Sequence, residues 1–238
     1  MTPARALVFD LDGTLAETSL DIAMACNHAL AALGRPPRTV AEIRAFVGDG
    51  ARRLVARAFA LPAESPRTDE ALAVFSEYYS AHGADHVAWM PGAKEALDAC
   101  AGLPLAIVTN KPRSATLPLL DALGITSRFR AIVAGGDGPL KPDPMAIHAA
   151  LAPLGISPKD AWVIGDGPQD VLAGLGAGAW TVGVLGGFAS LASLRDARPH
   201  RILSSLHELP ALLLEAATAT ASTTTEARRS PSGGPSSR

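Results

Sequence analysis

Two kinds of hydrophobic pattern alternate along this chain. Short continuous apolar runs, too short for helices, occupy residues 6–9, 105–109, 131–133, 161–164 and 180–184. Each reads as a buried strand. A weaker run at 201–203 adds an edge strand. From residue 93 onward these runs alternate with stretches of helical spacing at 93–101, 114–123, 145–154, 169–175 and 206–217. Strands alternating with helices in this way predict a parallel sheet covered on both faces.

The first gap breaks the alternation. After the opening strand come helical patterns at 18–33, 40–46, 51–60 and 69–82, with no strand-like run among them. The first carries apolar residues at Leu20, Ile22, Ala23, Leu30 and Leu33 and stops at Gly34, with Pro36-Pro37 beyond, a well-punctuated helix end. Gly48-Asp49-Gly50 and the segment 62–66 separate the others. An insertion of about 75 residues is too large for a crossover and has the size of a small helical bundle. The expected fold class is therefore α/β, a Rossmann-like parallel-sheet core (1–16 and 91–216) with an inserted all-helical cap domain (17–90). Residues 217–238 are rich in Thr, Ser, Ala, Pro and Gly, with Arg228-Arg229 the one charge cluster, and read as a disordered tail.

Composition narrows the function. A chain of 238 residues that is 48% hydrophobic can bury a sizeable core, which excludes a disordered or fibrous protein. Its net charge of -2 and dispersed basic residues give no footprint for nucleic acid or an anionic membrane, so a small ligand is the expected partner. Cys26 and Cys100 lie far apart without a metal-ligand spacing and read as buried thiols of a reducing, cytoplasmic compartment. The start of the chain meets two acids after four apolar residues and does not read as a signal peptide. An uncharged run at 171–194 has the length of a membrane span, but its six glycines with Ser190 and Ser193 fit a helix, a turn and a strand instead.

The candidate chemistry stands at the ends of the strands. The first run ends in Asp10-Leu11-Asp12-Gly13-Thr14, the second in Thr109-Asn110, the loop after the third holds Lys141-Pro142-Asp143-Pro144, and the fourth ends in Gly165-Asp166-Gly167 with Asp170 beyond. Each has a plain alternative: a solvated turn, a helix cap, a loop lysine, a capping pair. In a parallel sheet, however, all four ends share one edge, where ligands bind.

In this order and placement the four motifs resemble those of the haloacid dehalogenase superfamily of phosphatases, mutases and dehalogenases, over roughly residues 4–214. The resemblance implies that Asp10 attacks phosphorus to give an aspartyl phosphate and that Asp12 is the general acid and then the base. It also implies a Mg2+ held by Asp10, the main-chain carbonyl of Asp12, and Asp166. It implies further that Asp170 orders the metal's waters or holds Lys141, that Lys141 neutralises Asp10 and the phosphate, and that Thr109 and the amides around Asn110 hold phosphate oxygens at a helix N-terminus. Where many relatives have Ser or Thr after the metal-binding acid, this chain has Gly167, which bears on the surrounding hydrogen bonds rather than on the metal.

Asp12 argues against a dehalogenase, which needs no proton for a leaving alkoxide, and Thr109-Asn110-Lys111-Pro112 differs from the serine-rich pattern of phosphomutases. The segment Phe46-Val47-Gly48-Asp49-Gly50-Ala51 looks like the cap loop of phosphoglycolate phosphatases. Gly48 and Gly50 permit a tight loop near the cleft, Asp49 can cap the next helix, and Arg52 or Arg53 can meet a substrate carboxylate; two surface arginines fit the sequence equally. The expectation is a phosphoric monoester hydrolase acting on a small phosphorylated metabolite, 2-phosphoglycolate, as monomer or homodimer. A sugar-phosphate phosphatase, a phosphomutase and a non-catalytic phosphate-binding regulator are the alternatives.

Overall fold

The computed structural model describes residues 3–227, with side chains through residue 218. Six strands form one parallel sheet: β1 (Ala6–Phe9), β4 (Leu105–Pro112), β5 (Phe129–Gly135), β6 (Ala161–Gly165), β7 (Trp180–Val184) and β8 (Arg201–Leu203), in the order β5-β4-β1-β6-β7-β8. Strand β1 lies between β4 and β6, with Phe9 opposite both Ile107 and Ile164. The strand order reverses at β1, so a crevice opens beyond its carboxyl end.

The pleat sorts the core. Leu7, Phe9, Leu105, Ile107, Trp162 and Ile164 point to one face, which is covered by α5 (Ala93–Ala99), α6 (Arg113–Ala122) and α10 (Leu209–Ala227). Ala6, Val8, Ala106, Val108, Ala161 and Val163 point to the other, under α7 (Met145–Leu151) and α8 (Pro168–Ala177). This period of two on strands buried on both sides is why the runs read as continuous. A further helix, α9 (Leu191–Ala197), packs Leu194 and Ala197 against Val171. The uncharged run 171–194 thus divides among α8, β7 and the start of α9, and no helix among the described residues is long and apolar enough to cross a membrane.

Residues 19–82 form four helices, α1 (Ser19–Ala32), α2 (Val40–Arg44), α3 (Ala51–Phe59) and α4 (Pro66–His82). They share a separate apolar cluster that includes Ile22, Leu30, Ile43, Leu54, Phe59 and Phe75. Two short antiparallel strands, β2 (Ala16–Glu17) and β3 (Ala88–Trp89), connect this bundle to the sheet. They are too short to leave a pattern in the sequence. Both cysteines are buried free thiols, and burial raises Cys26 to about 12 and Cys100 to about 11.

Several boundaries differ from expectation, three of them with a readable cause or consequence. Helix α4 begins at Pro66 rather than residue 69, because Ser65 caps it and Pro66 takes the first position, where no N–H is needed. Strand β4 runs on to Pro112 through a register shift against β5, so α6 starts at Arg113 and its N-terminus does not lie at Thr109. Helix α10 continues past Ala217 to Ala227. The Ala/Thr stretch there has no Gly or Pro to stop it, and so residues 217–227 are helical where a disordered tail was expected. The remainder of that tail, 228–238, lies outside the described residues.

Candidate active site

Asp10 follows β1 directly; its N–H donates to the Ile164 carbonyl at 2.9 Å, and its side chain is buried. The chain then turns at Gly13, where φ is +82° and a Cβ would lie 2.6 Å from Asp166 Oδ2. Only glycine meets both conditions. The turn brings Thr14 Oγ1 to Asp166 Oδ1 at 3.1 Å, and the N–H of Phe188 donates to Asp166 Oδ2 at 2.6 Å. Asp166 follows β6 directly and is held through both oxygens.

Lys141 ties the set together. Its Nζ donates to Asp10 Oδ1 at 2.6 Å, Asp170 Oδ1 at 2.5 Å and the Val108 carbonyl at 2.6 Å. Asp10 Oδ2 accepts no hydrogen bond among the described residues. Asp170, on the first turn of α8, also accepts from the Gly167 N–H at 3.0 Å. A Cβ at Gly165 would fall 2.2 Å from Asp170 Cγ, so this glycine makes room for the carboxylate.

Asp10, Asp166 and Asp170 each place an oxygen within 4.8 Å of the others, with one ammonium among them. Burial pushes the Asp10 carboxyl well above its ordinary range; Lys141 opposes the shift, while Asp170 and Asp166 add to it. Asp166 is pushed up to about 6, first by burial and then by Asp170, against the Phe188 N–H and Thr14. Burial alone would lower Lys141, but Asp10 and Asp170 outweigh it and hold the ammonium above its usual range. A buried, all-oxygen set with surplus negative charge has the chemistry of a site for a hard divalent cation.

Asp12 faces a second lysine. Its Oδ1 accepts from Thr18 Oγ1 at 2.7 Å and from Lys111 Nζ at 3.0 Å. Lys111 is itself buried, hydrogen-bonded to the Tyr79 hydroxyl of α4, and lies 4.5 Å from the centre of the Tyr79 ring. The Thr109 hydroxyl accepts from the Lys111 N–H at 3.2 Å. Asn110 bridges the sheet and the bundle. Its amide nitrogen donates to the Gly48 and Lys141 carbonyls at 2.8 Å each, and its oxygen accepts from the Lys141 N–H at 2.8 Å.

These groups open onto one cavity of about 400 Å3, large enough for a small metabolite. Asp10, Asp12, Thr109, Asn110, Lys141 and Asp166 line it from the sheet edge, and Gly48, Gly50, Arg57 and Tyr79 from the bundle. Gly48 and Gly50 have φ of +127° and +87°, the tight loop that their spacing predicts.

The comparisons with known proteins point to one family. Residues 7–184 match the model of haloacid dehalogenase-like hydrolases. The chain belongs to the haloacid dehalogenase-like hydrolase family. It is 36% identical over 214 residues to phosphoglycolate phosphatase 1 of Pseudomonas aeruginosa, covering 86% of this chain and 78% of that one. The phosphoglycolate phosphatase of Pseudomonas fluorescens is 35% identical over 237 residues, 96% of this chain and 86% of its own. These relatives are, by name, phosphoric monoester hydrolases. Among solved structures, a predicted phosphoglycolate phosphatase from Haemophilus somnus superposes with a TM-score of 0.81 at 28% identity, covering 89% of this chain and 99% of that one.

Against this family background, three placements differ from the sequence reading. Arg52 does not line the cavity; it donates to the Ala63 carbonyl at 3.0 Å and pairs with Asp69 at 2.7 Å. The arginine that does line it is Arg57, bound to the Phe46 carbonyl at 2.9 Å and to the Asp49 carboxylate. The Asp49 side chain therefore engages a residue within α3, and Gly50 occupies the capping position of that helix. Lys111, Tyr79, Gln169 and Phe188 also line the cavity. Strand alternation from Thr109 was a usable signal for Lys111. Tyr79, four residues after Phe75, reads as ordinary core. The place of a hydroxyl after Asp166 is taken by Gln169, whose amide nitrogen lies 2.3 Å from where a Gly167 Cβ would be.

Proposed function

We propose that this protein is a Mg2+-dependent phosphatase that hydrolyses 2-phosphoglycolate to glycolate and phosphate through an aspartyl phosphate on Asp10. The observation that carries the reading is Lys141: one buried ammonium donates at once to Asp10 and Asp170, beside Asp166, at the mouth of a metabolite-sized cavity.

Asp10 Oδ1 is pinned by Lys141, and Oδ2 is the oxygen left to form the bond to phosphorus as the bond to the leaving alkoxide breaks. Asp12 gives that alkoxide its proton and then takes a proton from the water that cleaves the aspartyl phosphate. Thr109 and the main-chain amide of Asn110 hold phosphoryl oxygens, and Lys141 spreads their charge. The carboxylates of Asp10 and Asp166 and the carbonyl of Asp12 would hold the Mg2+, which when bound supplies positive charge between nucleophile and phosphate. Asp170 keeps Lys141 in place.

Residues 17–90 act as a cap that shields the phosphoryl group from bulk water. Arg57 is the exposed cation of the cap side of the cavity and meets the substrate carboxylate, exchanging Asp49 for it. The relatives' names support phosphoglycolate as the ester. A panel of phosphate monoesters assayed with Mg2+ tests this: kcat/KM for 2-phosphoglycolate exceeds that for hexose phosphates at least tenfold. Equal rates would remove the substrate assignment, isomerised sugar phosphates without free phosphate would favour a mutase, and a folded protein that turns over no ester would favour a regulator.

A further inference from the structure

We infer that Arg44, on the helical cap, is a positioning residue that couples closure of the cap to the geometry of Asp166 and thereby to cation affinity. The inference rests on the reading that Asp166 holds the cation. Arg44 ends α2, a five-residue helix fixed at its start by a reciprocal Thr39/Glu42 capping box and anchored in the cap by Ile43, which is fully buried. From that fixed base its guanidinium reaches across to the sheet domain. It donates to the Gly187 carbonyl at 2.7 Å and the Gly186 carbonyl at 3.1 Å, and its Cζ stands 5.0 Å from the centre of the Phe188 ring.

The segment it grips is the one that orients Asp166. Gly187 packs so closely on this acid that a Cβ would lie 2.4 Å from Asp166 Cβ, and the next N–H, that of Phe188, is the 2.6 Å donor to Asp166 Oδ2. The segment is tied to the sheet domain at its two ends, by the Leu185 N–H on the Leu203 carbonyl at 2.9 Å and by Ser190, which caps α9. Between those ties stand Gly186, with φ of +90°, and Gly187, and the missing Cβ of two successive glycines leaves the backbone other conformations to shift into. With the cap closed, Arg44 holds the Phe188 amide against Asp166. With the cap open, both main-chain bonds and the ring contact are lost, and the carboxylate relaxes. A planar fork that bonds two carbonyls while standing over an aromatic ring is a geometry that lysine does not reproduce. By linkage the effect is reciprocal, so a bound cation favours the closed cap.

The test is Mg2+ titration by calorimetry of the full chain without substrate, together with amide hydrogen exchange of residues 40–48. Groups that orient a metal ligand are worth roughly ten- to a hundredfold in metal affinity. Arg44→Ala raises the Mg2+ dissociation constant about tenfold, near the lower end of that range because Arg44 acts through the Phe188 amide. Arg44→Lys gives a smaller increase. Wild-type residues 40–48 become protected when Mg2+ is added, and those of Arg44→Ala do not. Phe188→Ala, which removes the ring beneath Arg44 and keeps the amide, also weakens Mg2+ binding, and it carries the test if Arg44→Ala does not fold. Wild-type affinity in these variants, with Mg2+ binding abolished in Asp166→Asn, overturns the coupling and leaves the site intact. Undiminished binding in Asp166→Asn overturns the cation site itself.

Discussion

Replacing Lys141 by Met removes the one ammonium from the acidic cluster while keeping most of the side-chain volume. The lost group donates to two carboxylates and a carbonyl at 2.5 to 2.6 Å, and Lys141 is only 4% exposed. Removing one partner of a buried ion pair costs about 3–5 kcal/mol, because the remaining charge is left uncompensated. Against a total stability of about 5–15 kcal/mol the variant stays folded but weakened. With a urea slope of about 2.5 kcal/mol/M, the metal-free unfolding midpoint falls by about 1–2 M. The penalty belongs to ionised carboxylates, so it is larger at pH 8 than at pH 5, where protonation of Asp10 and Asp166 relieves it. Adding Asp170→Asn to the Met variant recovers part of the loss, roughly 1–2 kcal/mol, since the two changes share one network. An unchanged midpoint, or strictly additive losses, would refute the claim that Lys141 is what makes this cluster tolerable.

Gly13→Ala places a Cβ 2.6 Å from Asp166 Oδ2 at a φ of +82°, so it costs at least ~2 kcal/mol in thermal unfolding and lowers Mg2+ affinity. Asp166 rises in the folded, metal-free chain from 3.8 to about 6. The unfolded state then ionises first as pH rises, and metal-free stability falls between about pH 4 and pH 6; Mg2+ above that range restores it, as thermal melts with and without the ion will record. Arg57→Ala raises KM for 2-phosphoglycolate about tenfold and leaves p-nitrophenyl phosphate nearly unchanged, whereas Arg52→Ala changes neither. Asn110→Ala cuts three bonds that join the Lys141 peptide to Gly48; kcat falls at least tenfold and exchange in the cap loop quickens.

The sheet was legible because its central strands are buried on both faces, so apolar runs of four or five residues stand out between helical stretches. The sheet-edge acids and Lys141 were legible because each follows such a run or the loop after it. What escaped depended on the docking of separate segments. Arg52 and Arg57 lie on one helix and look alike in sequence; only the packing of α3 and α4, which offers Asp69 and the Ala63 carbonyl to Arg52, turns one away and leaves the other at the cavity. The Lys111 and Tyr79 contact spans the sheet and the bundle. The hold of Phe188 on Asp166 comes from a glycine-rich turn with no pattern of its own. Beyond Ala217 low hydrophobicity pointed to disorder, but the helix that Leu209 and Leu212 anchor runs on to Ala227 through a stretch that holds no Gly or Pro.

The account depends most on a covalent bond between Asp10 and phosphorus. Borohydride reduction of the protein during steady turnover of 2-phosphoglycolate with Mg2+, followed by peptide mass spectrometry, tests it directly. The prediction is homoserine at position 10 in wild type and none in Asp10→Asn. Label at Asp12, Asp166 or Asp170 instead, or phosphate release undiminished in Asp10→Asn, would contradict it.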